Sequence, residues 1–181
     1  MDQHHTVLMN ADEMARTIDR LAYQILEKRG DSPDLALIGI QRRGADIAVR
    51  LAEILGQRLQ RALPCGALDI ALYRDDWTSV GVKPSVRPTN IPFAIQGRDI
   101  VLVDDVLFTT RTVRAALEAL LDFGRPRRVE LLVLVDRGHH ELPIHADYIG
   151  RTVNTARSEH VDVLMNERDD VDEIRLLKRQ I

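Results

Sequence analysis

Three short stretches of the chain are almost continuously apolar: LALIGI at 35–40, DIVLV at 99–103 and VELLVLV at 129–135. A strand with one wet face alternates in polarity, so runs of this kind belong to strands covered on both sides. Between the second and third, Val113, Ala116, Leu117, Leu120 and Leu121 recur at helical spacing, and Gly124 and Pro126 close the segment. The pattern predicts a helix near 111–122. Strand, helix and strand at this spacing make a βαβ unit with parallel strands. The expected fold is α/β, a mainly parallel central sheet flanked by helices in a single domain over 1–181. At 181 residues and 45% hydrophobic, the chain can supply one sizeable core.

The remaining elements follow from local signals. Asn10 and Glu13 have the spacing of a capping box, and Met14, Ile18, Leu21, Ile25 and Leu26 continue as a helical stripe up to Gly30. This predicts a helix over 11–29. Ile47, Leu51, Ile54 and Leu55 predict another near 45–55, and ALDIALY at 67–73 reads as a strand. Residues 74–97 carry three prolines and scattered charge over a length unusual for a connection, so they read as a flap, with room for a hairpin. Val161, Val163 and Met165 alternate, and the tail VDEIRLLKRQI reads as a closing strand, with a helix as the alternative.

Ligands of open α/β sheets sit beyond the carboxyl ends of the strands. Three unusual loops fall there: QRRG after 35–40, DDVLFTTRT after 99–103 and DRG after 129–135. TTRT leads into a helix N-terminus, where unpaired N–H groups favour an anion. A plain Ser/Thr cap is the simpler reading of that cluster. Asp104 and Asp105, just before it, would repel a phosphate but suit hydroxyl donors or a nearby Mg²⁺. A sugar phosphate satisfies both ends. Neither G-x-G-x-x-G nor G-x-x-x-x-G-K-[ST] occurs. A phospho-accepting signalling domain is disfavoured, because no lysine partner at a strand end is evident.

VLVDDVLFTTRT resembles the phosphoribosyl-diphosphate (PRPP) signature of the type I phosphoribosyltransferases. GIQRRG, DIALYRDD, RTVRAALEAL, FGRPRRVELLVLVDRGHHELPIHADYIG and the following RSE extend the likeness over about residues 8–165. They resemble one family in particular, the bifunctional pyrimidine-operon attenuation regulators with uracil phosphoribosyltransferase activity. The resemblance implies a hood over about 136–160 plus the chain ends, and the flap at 74–97. It implies that Asp104 and Asp105 hold the ribose hydroxyls, and that the loop Val106, Leu107, Phe108, Thr109, Thr110, Arg111 and Thr112 wraps the 5-phosphate. Arg42, Arg43 and Gly44 would form the diphosphate loop. Arg74 and Asp75, with Asp76, would open the catalytic flap. Asp136, Arg137 and Val161 would line the base pocket. The implied partners are PRPP, uracil, UMP and UTP, with Mg²⁺ carried by PRPP rather than by a protein metal site. The protein would be a cytoplasmic homodimer or tetramer, with no membrane association.

Departures from the family pattern define the alternatives. Thr110 replaces a usual glycine, and if the position needs φ > 0 its Cβ costs about 1–3 kcal/mol. A hydroxyl donating to the phosphate would offset this in return, and glycine there is expected to raise activity. Arg42 stands where threonine is usual, His140 and His145 replace arginines, and Asp19 and Tyr23 replace threonine and histidine. The family's second ligand is a stem-loop of pyrimidine-operon leader mRNA, for which Arg20, His140, His145 and Arg151 are the candidate contacts. A net charge of −3 gives no bulk attraction to RNA. All basic residues except Lys28, Lys83 and Lys178 are arginine, the better bidentate phosphate partner. The open readings are an enzyme that has lost RNA binding, a nucleotide-sensing RNA regulator with little catalysis, or both functions together. A purine-salvage relative is disfavoured by LYRDD and the hood motif. His139, His140 and His145 as a zinc site lack a cysteine or second acid cluster. The single Cys65 excludes an intrachain disulfide.

Overall fold

The computed structural model describes residues 5–75 and 88–178. Along the chain run β1 (His5–Met9), α1 (Ala11–Arg29), β2 (Leu35–Ile40), α2 (Arg43–Leu59) and β3 (Cys65–Leu68). Then come β4 (Asp99–Leu107), α3 (Arg111–Leu121), β5 (Arg128–Asp136), β6 (Tyr148–Thr152), β7 (His160–Leu164), the one-turn α4 (Asn166–Asp169) and β8 (Glu173–Leu177). Five strands form an all-parallel sheet in the order β3-β2-β4-β5-β6. Alternate residues of its strands feed two cores. Leu35, Leu37, Val101 and Val103 pack against α1 and α2, whereas Ala36, Ile38, Ile100 and Leu102 pack against α3. This double coverage is why the strands read as continuous apolar runs.

The first helix spans the expected residues, and its capping box is formed: Glu13 N donates to Asn10 Oδ1 at 3.0 Å and Asn10 N to Glu13 Oε2 at 2.9 Å. α2 begins at Arg43, earlier than the apolar stripe indicates, because Gly39 and Gly44 let the helix start directly on the sheet. A Cβ on Gly39 would lie 2.3 Å from Ala45 Cα, and one on Gly44 would lie 2.5 Å from the Val103 carbonyl oxygen.

Several expectations need correction. The strand expected at 67–73 is β3, which ends at Leu68. Asp69 N donates to the Thr89 hydroxyl at 3.0 Å, and Tyr73 N closes a turn on Ile70 O at 2.9 Å. β4 does not stop at Val103 but runs through both acids to Leu107, paired with β5 as far as Leu107↔Asp136. β6, inside 136–160, belongs to the main sheet, while the hood sheet is β1-β8-β7, antiparallel, with His5↔Leu177 and Val161↔Leu176 in register. The tail is therefore a strand, and its partner β1 carries too little pattern to be read in the sequence. The flap and its hairpin fall largely on residues 76–87, Asp76 among them, and so lie outside the described residues.

Ion pairs clamp the hood to α2. Arg50 reaches Glu167 and Asp172 at 2.7 Å each, Arg43 reaches Asp169 at 3.3 Å, and Arg168 pairs with Asp46. The Arg50 bond holds the Glu167 carboxyl below its ordinary range. Burial pushes Asp172 up, but Arg50 and the Asn166 amide outweigh it and the net shift is downward. Arg50→Met leaves two carboxylates facing each other without their cation, and is expected to cost about 1–2 kcal/mol near neutral pH. Carboxylates with depressed folded values contribute stability above the ordinary carboxylate range and lose it as pH falls. The gap between variant and parent should therefore close below about pH 4. Urea melts at pH 7 and pH 3.5 measure both.

Candidate active site at the carboxyl edge of the sheet

A cavity of about 520 Å³ opens where β2 and β4 end. It brings together Arg42, Arg43, Arg74, Asp104, Asp105, Val106 and Thr112 from segments far apart in the chain. Gln41, Asp69, Ile70 and Ala71 also line it and were not anticipated. Asp69 and its neighbours were hidden inside the strand expected at 67–73. Gly44 lies beneath, pressed on the β4 backbone.

The acids are fixed by their own main chain. Asp105 N donates to Asp104 Oδ1 at 3.0 Å and Val106 N to Asp105 Oδ1 at 2.9 Å. Asp104 is 4% exposed. Burial first, then the adjacent Asp105, pushes its carboxyl well above the usual range, while the Arg74 charge pulls the other way. Such a pair is poised to accept from neutral O–H donors. As hard oxygen donors the two carboxylates also suit Mg²⁺ brought in by a substrate. Among the described residues no group of three or more His, Cys, Asp or Glu is placed to hold a metal ion.

The expected phosphate loop divides into parts with different roles. Leu107 is buried in the α3-side core. Phe108, Thr109 and Thr110 make the turn into α3, whose first amides lack intrahelical acceptors. Thr110 has φ = 69°, so the suspected positive φ is present. Its hydroxyl does not face the cavity. It donates to the Thr109 carbonyl and accepts from Leu142 N at 3.1 Å, with only 2% of the residue exposed. Arg111 is engaged by Asp75 at 2.8 Å and Glu141 at 2.7 Å, and Glu141 also binds Arg157. These bonds hold the Glu141 carboxyl below its ordinary range.

After β5, Asp136 accepts from Gly138 N at 2.9 Å and lies 2.9 Å from His140 Nε2. Arg137 is 4% exposed and is not free to meet a base with its guanidinium. Nε donates to Thr155 Oγ1 at 3.2 Å, Nη2 to Ala156 O at 3.0 Å, and the group lies 4.0 Å from the Phe108 ring centre. Burial lowers its pKa from the ordinary arginine value, against the pull of Glu159. The Val161 side chain is buried in the core, which leaves its backbone for any pocket role.

The RNA candidates fall into two groups. Arg20 and Arg151 meet around Gly150, where Arg20 Nη2 donates to Gly150 O at 2.5 Å and Arg151 donates to Leu8 O. A hollow of about 320 Å³ there also includes Arg16. His140 and His145 pair edge-on, 5.9 Å between ring centres, beside Asp136. Arg58 of α2 binds Asp19 of α1 at 2.9 Å and covers the Tyr23 ring at 3.8 Å. Cys65 sits on β3, where burial pushes its thiol up to about 11, unsuited to a nucleophile. No helix among the described residues is long and apolar enough to cross a membrane.

Comparison with known proteins covers almost all of this architecture. The phosphoribosyl transferase domain family matches residues 6–168. A bifunctional protein PyrR of Thermus thermophilus is 53% identical over 173 residues, 96% of each chain. The protein of that name from Syntrophobacter fumaroxidans is 49% identical, over 93% of this chain and 90% of its own. Among solved structures, a hypoxanthine phosphoribosyltransferase of Trypanosoma cruzi superposes with a TM-score of 0.71 at 20% identity, covering 96% and 91% of the two chains. One from Staphylococcus aureus gives 0.67 at 20%, covering 96% and 92%. At that identity the two structures speak to the fold alone.

Proposed function

The chain belongs to the phosphoribosyl transferase family and, within it, to the bifunctional PyrR proteins, and we infer that it is a uracil phosphoribosyltransferase and a regulator of a pyrimidine operon. The observation that carries the enzymatic half is the buried Asp104–Asp105 pair, set in one cavity with Arg42, Arg43, Arg74 and the start of α3. That arrangement suits a substrate with a diol at one end and phosphates at the others.

In this reading the substrates are uracil and PRPP, the latter bringing Mg²⁺, which spreads the negative charge of the leaving diphosphate. Asp104 and Asp105 accept from the ribose hydroxyls. The amides at the start of α3 and the Thr112 hydroxyl receive the 5-phosphate. Uracil N1 forms a bond to the anomeric carbon as the bond to diphosphate oxygen breaks, and the N1 proton leaves to solvent. Positive charge on the ribose is met by the carboxylates, and negative charge on the diphosphate by Arg42 and Arg74. Arg43 already faces hood acids, so its reach toward diphosphate is shared with the hood. The base lies by the loop after β5, contacted through backbone and Asp136. Asp75 sits at the root of the flap and, through Arg111, ties it to the phosphate loop.

UMP formation from uracil, PRPP and Mg²⁺ tests the enzyme. Turnover no higher than a protein-free control would remove it, and hypoxanthine competing as well as uracil would move it to purine salvage. For the regulator, the ligands are UMP or UTP and a pyrimidine-operon leader RNA, read in the cytoplasm by a homodimer or tetramer. The arginines around Gly150 are the basic face for that RNA. With UMP bound, Arg20→Ala with Arg151→Ala should weaken leader RNA binding about 10–100-fold at fixed salt. Parent affinity for leader RNA no better than for a scrambled RNA would leave only the enzyme.

A further inference from the structure

The loop after β5 is joined to the phosphate loop along a continuous seam. Arg137 N donates to Leu107 O at 3.0 Å, Glu141 N to Thr109 O at 3.2 Å, and Leu142 N to the Thr110 hydroxyl at 3.1 Å. The Glu141 carboxylate holds Arg111, and Arg137 stacks on Phe108. Two of the three N–H contacts end on main-chain carbonyls and depend on no side chain. The third depends on one side chain, at a residue with φ = 69° that a β-branched amino acid rarely adopts. The strained backbone and the hydroxyl's bond across the seam belong together.

We propose that Thr110 is a positioning residue whose hydroxyl rivets the loop after β5 to the phosphate loop, fixing the spacing between base subsite and 5-phosphate subsite. A nucleotide monophosphate must meet both sides of this seam at once, whereas a sugar phosphate meets only one. A seam set in advance lowers the ordering cost for the two-sided ligand alone. The proposal rests on reading the cavity as a nucleotide site, and it reverses the simple expectation for glycine. Thr110→Gly relieves the backbone but removes the rivet.

Three variants separate the effects. Thr110→Val keeps shape and strain but has no acceptor, Thr110→Ser keeps the hydroxyl, and Thr110→Gly loses both hydroxyl and strain. Binding of UMP and of ribose 5-phosphate is titrated for each. Valine and glycine should weaken UMP about tenfold, the factor of one lost hydrogen bond. Ribose 5-phosphate should change by about twofold at most, and serine should stay within about twofold of the parent for both ligands. Exchange of the Leu142 amide with D₂O, read by NMR, should speed up about tenfold in valine and glycine but not in serine. Equal weakening of both ligands by valine would reduce Thr110 to a local support of the phosphate loop and overturn the proposal. So would an unchanged Leu142 amide. A parent protein that neither binds UMP nor makes it would overturn the functional reading instead, and the amide exchange would still decide whether the rivet exists.

Discussion

Asp104→Asn is expected to abolish most UMP synthesis while making the ligand-free protein more stable. In the proposed site Asp104 and Asp105 would share two charge-assisted hydrogen bonds to ribose hydroxyls, at about 1.5–3 kcal/mol each. Converting both acids to Asn would therefore reduce kcat/KM by roughly 10²–10⁴, and either one alone by a large part of that. Stability moves the other way because Asp104 is buried beside a like charge and its carboxyl titrates well above the usual range. For a carboxylate raised on folding, the unfolded chain ionises first. Stability is then highest below the ordinary range near pH 4, and falls as pH rises toward the folded value. The amide has no charge to bury, so the variant should melt higher at neutral pH and lose this part of the pH dependence. Calorimetry from pH 4 to pH 8 beside a UMP assay tests both halves. A variant that melts lower at pH 7 would show that the acids are held by something other than strained proximity.

Gly44→Ala should damage fold and chemistry together. The new methyl would lie 2.5 Å from the Val103 carbonyl oxygen and 3.1 Å from Asp104 Cα, both main-chain atoms. Neither can rotate away, so the start of α2 must lift off β4. Overpacking of this kind costs about 2–3 kcal/mol, more than the ~1 kcal/mol that alanine gains over glycine within a helix. Arg42 and Arg43 are carried by the same backbone. A displacement near 1 Å would lower kcat/KM by about 10²-fold even in the molecules that remain folded. Denaturant melts and steady-state kinetics on the purified variant separate the two losses. Unchanged stability would mean that the helix and strand can part more easily than their contact indicates.

What the sequence discloses depends on how each segment is buried. Strands covered on both faces announce themselves, and LALIGI falls where it was read. The capping box and stripe of α1 did likewise. β4 was cut short because two carboxylates look like the end of a strand. Their polarity is met by the amides of Asp105 and Val106, which lets the ladder to β5 continue. ALDIALY failed for the opposite reason, since its apolar residues Ile70 and Tyr73 pack from a turn. The acid pair, the arginines and the start of α3, which meet in one cavity, were legible as a candidate site because their chemistry sits near strand ends. The cross-chain partners of Thr110, Arg111 and Arg137 were not. Leu142, Glu141 and Thr155 become neighbours only when β5 and β6 are laid beside β4, and no spacing in the chain encodes that.

The hood sheet pairs the first strand with the last. β1 hydrogen-bonds to β8, and in this sheet β7 reaches β1 only across β8. On a ribosome, residues 5–9 wait for that partner while more than 160 further residues are translated, at ~5–20 residues per second. The parallel sheet, with its acid pair and phosphate loop, can be assembled during that interval. The hood clamp through Arg43 and Arg50 cannot, because Asp169 and Asp172 are translated after the last strand of that sheet. The sheet is complete only with β6, which ends at Thr152, and β8 begins at Glu173, so the formed sheet stands beneath an unclosed roof for a short last interval, while Met9, buried once the roof closes, waits uncovered far longer.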